Sequence, residues 1–178
     1  VRIYNLNKSE LETEIINHLV SNYEKIRAEY ESCPAHLIYD YIHTRHKIFP
    51  SHNDWKTIGV LHKKHPEWQL KTESQFKSLS TLFTNPRICR IAFSVTHPGL
   101  TIPYHQDSIN KRTKRIYFVI RSEDNNMLKV NIFWDKHRIE LKEKDIILFD
   151  PGRQYHSSYN RGSSIRSVLN IDFIDNEF

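Results

Sequence analysis

Apolar residues recur along the chain with two different periods. Leu11, Ile15, Leu19, Val20, Tyr23, Ile26 and Tyr30 are three or four residues apart, which places them on one helix face. Ser9 followed by Glu12 fits a capping box and Pro34 lies just beyond the pattern, so one amphipathic helix is predicted over residues 9–31. A second helix is predicted over Glu73–Phe83, burying Phe76, Leu79, Leu82 and Phe83 and ending at Asn85-Pro86, because a residue before proline disfavours the helical region. Pro50 and Pro66 interrupt the intervening stretch, where only Lys56–Leu61 reads as extended. From Arg87 the period changes. Ile88–Val95 is rich in strand formers and stops at the Pro98-Gly99 turn signal. Further strands are predicted over Arg115–Arg121, Met127–Trp134, His137–Leu141, Asp145–Phe149 and Ile165–Ile174, joined by segments carrying Asn, Asp, Gly and Ser. This succession argues for an antiparallel sandwich or jelly roll, not for alternating βαβ units. The expectation is one domain over residues 1–178, in which a helical and irregular half (1–86) supports a β-rich core (87–178).

Composition narrows the class. With 178 residues the chain is long enough to bury a sizeable core, and its 4 Gly and 7 Pro exclude collagen-like and low-complexity chains. No apolar run approaches the ~20 residues of a bilayer span. Residues 1–20 lack the pattern of a secretory signal, and Cys33 and Cys89 are expected as free thiols. A cytoplasmic protein without a membrane partner is therefore expected. The formal charge of +5, with its densest basic stretch at Lys111-Arg112-Thr113-Lys114-Arg115, tilts the ligand toward anions without choosing among them.

The candidate chemistry lies in the β-rich half. His105 and Asp107 are one residue apart, so on an extended strand their side chains share a face, and His156 follows 49 residues after Asp107. Two neutral imidazoles and one carboxylate on one face of a metal form the facial triad of non-haem Fe(II) oxygenases, which leaves three positions of an octahedral ion open. Arg166, 10 residues after His156, sits inside the apolar strand candidate. A buried guanidinium needs an anionic partner, and it grips a carboxylate bidentately. The acidic cosubstrate 2-oxoglutarate would supply one.

The stretch Phe93-Ser94-Val95-Thr96-His97-Pro98-Gly99-Leu100-Thr101-Ile102-Pro103-Tyr104-His105 resembles the strand–turn–ligand motif of the aspartyl/asparaginyl β-hydroxylase family of Fe(II)- and 2-oxoglutarate-dependent dioxygenases. Lys144–Asp150 leading to Tyr155-His156, and the strand Arg166–Phe173, resemble two further segments of that family. The likeness covers roughly residues 87–174, with none evident upstream. It implies a double-stranded β-helix (jelly roll, cupin-like), against one sheet of which the predicted N-terminal helices are expected to pack. It also implies that His105 and His156 are metal ligands and that Ser94 and Arg166 hold the far carboxylate of 2-oxoglutarate. Arg115, two residues before Tyr117, becomes a candidate for the second carboxylate or the substrate, with Lys114 and Arg112 as alternatives. Vertebrate members carry glycine where Asp107 stands, and Tyr117 replaces a histidine usual in the family.

The function implied is hydroxylation, using Fe(II), 2-oxoglutarate and O2, of a carbon in an amino-acid side chain, free or within a peptide. Oxidative demethylation of nucleic acid is the less favoured alternative, and a non-catalytic cupin-like binding protein the alternative of another class. His43-x-x-His46 and His62-x-x-His65 have zinc-like spacing but lack Cys or carboxylate partners, so they are expected to be solvated or locally bonded. Trp55, Trp68 and Trp134 are expected in the core or at a rim, and Asp172 facing solvent or bonded in a turn.

Overall fold

A computed structural model of the protein describes residues 1–4, 9–40, 55–123, 126–132 and 135–174. The elements in chain order are β1 (Ile3–Tyr4), α1 (Glu10–Ser21), α2 (Tyr23–Glu31), β2 (Tyr39–Asp40), β3 (Trp55–His62), α3 (Glu67–Thr72), α4 (Ser80–Phe83), β4 (Ile88–Thr96), β5 (Thr101–His105), β6 (Thr113–Arg121), β7 (Asn126–Ile132), β8 (Asp135–Glu140), β9 (Ile146–Phe149), β10 (His156–Asn160) and β11 (Arg166–Ile174). They form a seven-stranded sheet of order β1-β9-β6-β11-β4-β3-β2 and a four-stranded sheet of order β5-β10-β7-β8. Strand pairs are antiparallel except β1 with β9. Two sheets built from alternating returns of the chain make the double-stranded β-helix.

The predicted N-terminal helix is two helices. Ser9 and Glu12 form the expected capping box, but the helix stops at Asn22. The Asn22 backbone N–H and side-chain amide both donate to the His18 carbonyl, at 3.1 and 2.9 Å. A side chain that competes for the last carbonyls ends a helix locally. The chain restarts as α2, which is pinned to the sheet where the Tyr23 hydroxyl donates to the Ile120 carbonyl at 2.9 Å. The second predicted helix, over Glu73–Phe83, is α-helical only in its last four residues, and a separate helix, α3, lies just before it. Thr72 donates to the carbonyls of Val60 and Trp68 and closes α3, Phe76 is non-helical, and a short 3-10 turn at Lys77–Leu79 leads into α4. Phe76, Leu79 and Leu82 are nonetheless buried, because the turn aims them at the same core. In β3, Gly59 lies under the indole of Trp68, which leaves no room for a Cβ there.

Register divides the larger sheet into two unlike faces. Along β11, Leu169, Ile171 and Phe173 point toward the helices and join Phe93, Phe118, Ile15, Leu19, Ile26 and Phe76 in one apolar core. The alternate residues Arg166, Val168, Asn170 and Asp172 point between the sheets. Across the ladders Asn170 pairs with Ala92 and Tyr117, and Asp172 with Arg90 and Arg115. The inter-sheet layer is apolar at one end, where Val119, Val168, Leu128, Val130 and Ile139 pack together, and polar at the other.

Candidate metal centre

The mouth of the barrel is set by the pairing of β5 with β10. His105 ends β5, His156 begins β10, and the two are register partners with ring centroids 4.4 Å apart. Asp107 lies beyond the strand, so the shared face expected from strand alternation is produced instead by a turn. The Asp107 backbone N–H donates to the Pro151 carbonyl at 2.8 Å, and its own carbonyl accepts from Ile109 at 2.9 Å. Asp107 Oδ1 comes to 3.2 Å from His105 Nε2 and 3.7 Å from His156 Nε2. One ligand atom from each residue lies within 4.8 Å of the others, and among the described residues no other group of three His, Cys, Asp or Glu does so.

This donor set fits a divalent ion of the iron type. Two donors about 2.1 Å from one ion and at right angles lie about 3 Å apart, close to the observed spacings. Each imidazole also turns its other nitrogen to a backbone carbonyl two residues upstream: His105 Nδ1 lies 2.7 Å from the Pro103 oxygen and His156 Nδ1 3.1 Å from the Gln154 oxygen. These contacts make each Nδ1 the donor to its carbonyl and leave each Nε2 facing Asp107, the orientation a metal ligand requires.

The surroundings hold His156 and Asp107 in their binding states, while Asp107 favours a proton on His105. Burial favours the neutral form of His156 and, against the attraction of Asp107, brings its pKa down to about 4. Burial works the same way on His105, but the hydrogen bond and charge of Asp107 and the Pro103 carbonyl outweigh it and push its pKa up. For Asp107 burial opposes ionisation, yet the Arg115 charge, with His105 and His156, holds the carboxyl well below the usual range. Arg115 is the centre of this field. Its Nη1 is 2.7 Å from Asp107 Oδ2, and its Nε and Nη2 donate to Asp172 Oδ1 and Oδ2 at 2.6 and 2.9 Å. Asp172 is thus buried and doubly bonded, not solvent-facing as expected, with Arg90 adding a 3.4 Å contact. Burial penalises its charge, and Arg115 and Arg90 more than offset that penalty, so its pKa lies below the usual value.

Strand alternation also separates the basic run. Arg115 faces the cavity, Lys114 turns to the other side and bonds Glu12 at 3.1 Å, and Arg112 is exposed in the preceding turn. Arg166 is 1% exposed. Its Nη1 donates to the Tyr159 carbonyl at 3.2 Å and its Nη2 to Ser158 Oγ at 3.0 Å, while its Nε has no partner. No carboxylate pairs with it among the described residues. Ser94 and Tyr117 line the same cavity as the triad, together with Trp55, Ser158 and Asn170. The Trp55 indole donates to Ser94 Oγ at 2.7 Å. Burial raises the Tyr117 phenol pKa against the nearby charges of Arg166 and Arg115 and keeps it protonated.

Sequence reasoning missed Ser158, Asn170 and Arg90. The available signal was alternation, since Ser158 lies two residues after His156 and Asn170 lies midway between Arg166 and the end of its strand. His62 and His65 lie tilted against each other beside Trp68, with ring centroids 4.7 Å apart, and belong to no metal-sized group, while His43, His46 and Trp134 lie outside the described residues. Cys33 and Cys89 are free thiols, and no helix among the described residues is long and apolar enough to cross a membrane.

Comparison with known proteins bears on the fold and the family. The fold is similar to that of an oxidoreductase of the 2OG-Fe(II) oxygenase family from Burkholderia pseudomallei, with TM-score 0.50 and 8% identity, covering 97% of this chain and 94% of that one. It is also similar to a prolyl-4-hydroxylase from Pseudomonas putida, with TM-score 0.51 and 11% identity, covering 91% and 87% of the two chains. At such identities the likeness shows the fold alone. None of the curated proteins matches the chain's sequence. The family model described as aspartyl/asparaginyl beta-hydroxylase matches residues 20–176, well upstream of the motifs that first suggested it, and the chain belongs to that family.

Proposed function

We propose that the protein is an Fe(II)- and 2-oxoglutarate-dependent dioxygenase that hydroxylates a carbon of an amino-acid side chain, in a free amino acid or within a peptide. The observation that carries this reading is the convergence of His105 Nε2, His156 Nε2 and Asp107 Oδ1, with both Nδ1 atoms turned to carbonyls. These three residues would hold the iron, and three protein donors leave room for a cosubstrate and O2. When bound, iron and 2-oxoglutarate supply the oxidising power, with one oxygen atom going to the C–H bond and the other to succinate as CO2 leaves.

The chain's own residues bind, orient and keep protons in place. Arg166, buried and without a carboxylate partner, would take the far carboxylate of 2-oxoglutarate, an anion that offsets the cost of burying an unpaired charge. Ser158 is already bonded to Arg166, and Ser94 Oγ accepts from Trp55, which leaves each hydroxyl proton to donate to the same carboxylate. Tyr117 offers a third hydroxyl, and Ile102, Leu128 and Phe149 give that cavity its apolar walls. His156 stays neutral down to a pH of about 4 and Asp107 stays ionised, so these two donors are in their binding forms at neutral pH, while His105 would give up the proton it shares with Asp107 to the ion.

The test is anaerobic titration. Fe(II) followed by 2-oxoglutarate should give a weak visible charge-transfer band in the parent and none in His156→Ala. On admitting O2, succinate release should rise with the right member of an amino-acid and peptide panel. A parent that takes up Fe(II) but gives no band with 2-oxoglutarate contradicts the proposal.

A further inference from the structure

The resemblance offers Arg115 as a contact for the cosubstrate or substrate, but its three nitrogens already serve two protein carboxylates. Nε and Nη2 close a fork on Asp172 at 2.6 and 2.9 Å, and Nη1 reaches Asp107 Oδ2 at 2.7 Å. Asp172 is 3% exposed and sits on β11, one of the most enclosed strands of the larger sheet. We propose that Arg115, locked by Asp172, is a positioning residue for the metal-site carboxylate: it occupies Oδ2 of Asp107 and so presents Oδ1 alone to the ion. The inference rests on the reading of His105, Asp107 and His156 as a metal site.

Three features of the geometry carry it. Asp107 belongs to a turn, not to a strand, so the ladder does not fix its side chain, and something else must. The two oxygens of Asp107 have different partners, Oδ2 facing the guanidinium and Oδ1 facing both imidazoles. A carboxylate with one oxygen bonded to a planar guanidinium is held in one rotation about its side chain and binds an ion through the other oxygen, keeping an adjacent position open. Arg115 is itself held, since bidentate pairing with a carboxylate fixes the plane of its fork. Arg90, 3.4 Å from Asp172 Oδ2, closes the row Asp107–Arg115–Asp172–Arg90. The outer members of that row sit on β4 and on the turn after β5, so it ties the turn to the larger sheet.

The test measures metal affinity without turnover. Zn(II) is titrated into metal-free protein against a chromophoric chelator for the parent, Asp172→Asn, Arg115→Lys and Asp107→Gly, and for each of the first two substitutions combined with Asp107→Gly. Thermal melts establish that each variant is folded. Asp172→Asn and Arg115→Lys should each weaken Zn(II) binding about 10- to 100-fold, the usual effect of removing a group that orients a ligand. In the Asp107→Gly background neither should weaken it further, because the braced carboxylate is gone. 2-Oxoglutarate affinity at saturating Zn(II) should stay within about threefold of the parent. Arg115→Lys retains a charge opposite Asp172, so it keeps the test open if Asp172→Asn does not fold. Zn(II) affinity unchanged in Arg115→Lys overturns the proposal, as does an equal loss with and without Asp107. A loss confined to 2-oxoglutarate affinity overturns it in favour of a cosubstrate contact. A parent that binds no Zn(II) removes the metal reading itself.

Discussion

The two faces of the larger sheet are made by the same strands and have opposite chemistry. On the helix side, Ile91, Phe93, Leu169, Ile171 and Phe173 are fully buried against α1, α2 and the turns before α4. On the cavity side, the alternate residues of β4, β6 and β11 include Arg90, Ser94, Arg115, Arg166, Asn170 and Asp172. Burial of the first face contributes stability in proportion to its apolar area, at about 25 cal/mol per Å². Burial of the second costs free energy wherever a charge lacks its partner. Three guanidinium groups here meet two carboxylates, Asp107 and Asp172, and the cation without a carboxylate is Arg166. The surplus is what an anionic ligand would neutralise. One strand thus divides the work, with odd-numbered positions of β11 holding the fold and even-numbered positions holding the site.

Substitutions on the two faces should therefore separate stability from binding. The largest effect on folding belongs to Phe93→Ala, which should cost about 3–5 kcal/mol in denaturant titrations. The folded fraction should bind Zn(II) as the parent does. On the other face Arg166→Met should lower 2-oxoglutarate affinity by about 100-fold or more by calorimetry, with a melting temperature equal to or above the parent's, since an unpaired buried charge is replaced by an apolar chain. Arg166→Lys keeps the charge but loses the fork, so a smaller loss of about tenfold is expected. The smallest effect is an acid-side slope. Asp172 has its pKa lowered in the folded protein, so its contribution is complete above its ordinary pKa of about 4 and is lost as pH falls toward the folded value. Denaturant midpoints followed from about pH 5 to pH 3 should fall less steeply in Asp172→Asn than in the parent.

The same contrast explains what could be read from the chain. β4, β6 and β11 were legible to within a residue or two, because Ile88–Val95, Ile116–Ile120 and Val168–Ile171 lie in a sheet covered on both sides and read as near-continuous strand formers. β5 and β10 were not legible. The inward positions of β10 are His156, Ser158 and Asn160, so a strand that serves the site shows no apolar period. Asp172 was misjudged for a related reason: its partner Arg115 lies 57 residues away and is brought opposite only by the register of β6 with β11. The triad could be seen in composition and spacing, but the turn that returns Asp107 to the histidines depends on the Pro151 carbonyl, which no local pattern announces. The division of the N-terminal helix at Asn22 was likewise hidden by an apolar period that runs through the break.

The most direct test of the account is a crystal structure of the protein grown without oxygen in Mn(II) and 2-oxoglutarate. The predicted result is one metal ion bound by His105 Nε2, Asp107 Oδ1 and His156 Nε2, with the far carboxylate of 2-oxoglutarate on Arg166 and Arg115 still bridging Asp107 and Asp172. An ion bound without Asp107, or a 2-oxoglutarate whose far carboxylate lies away from Arg166, would contradict it.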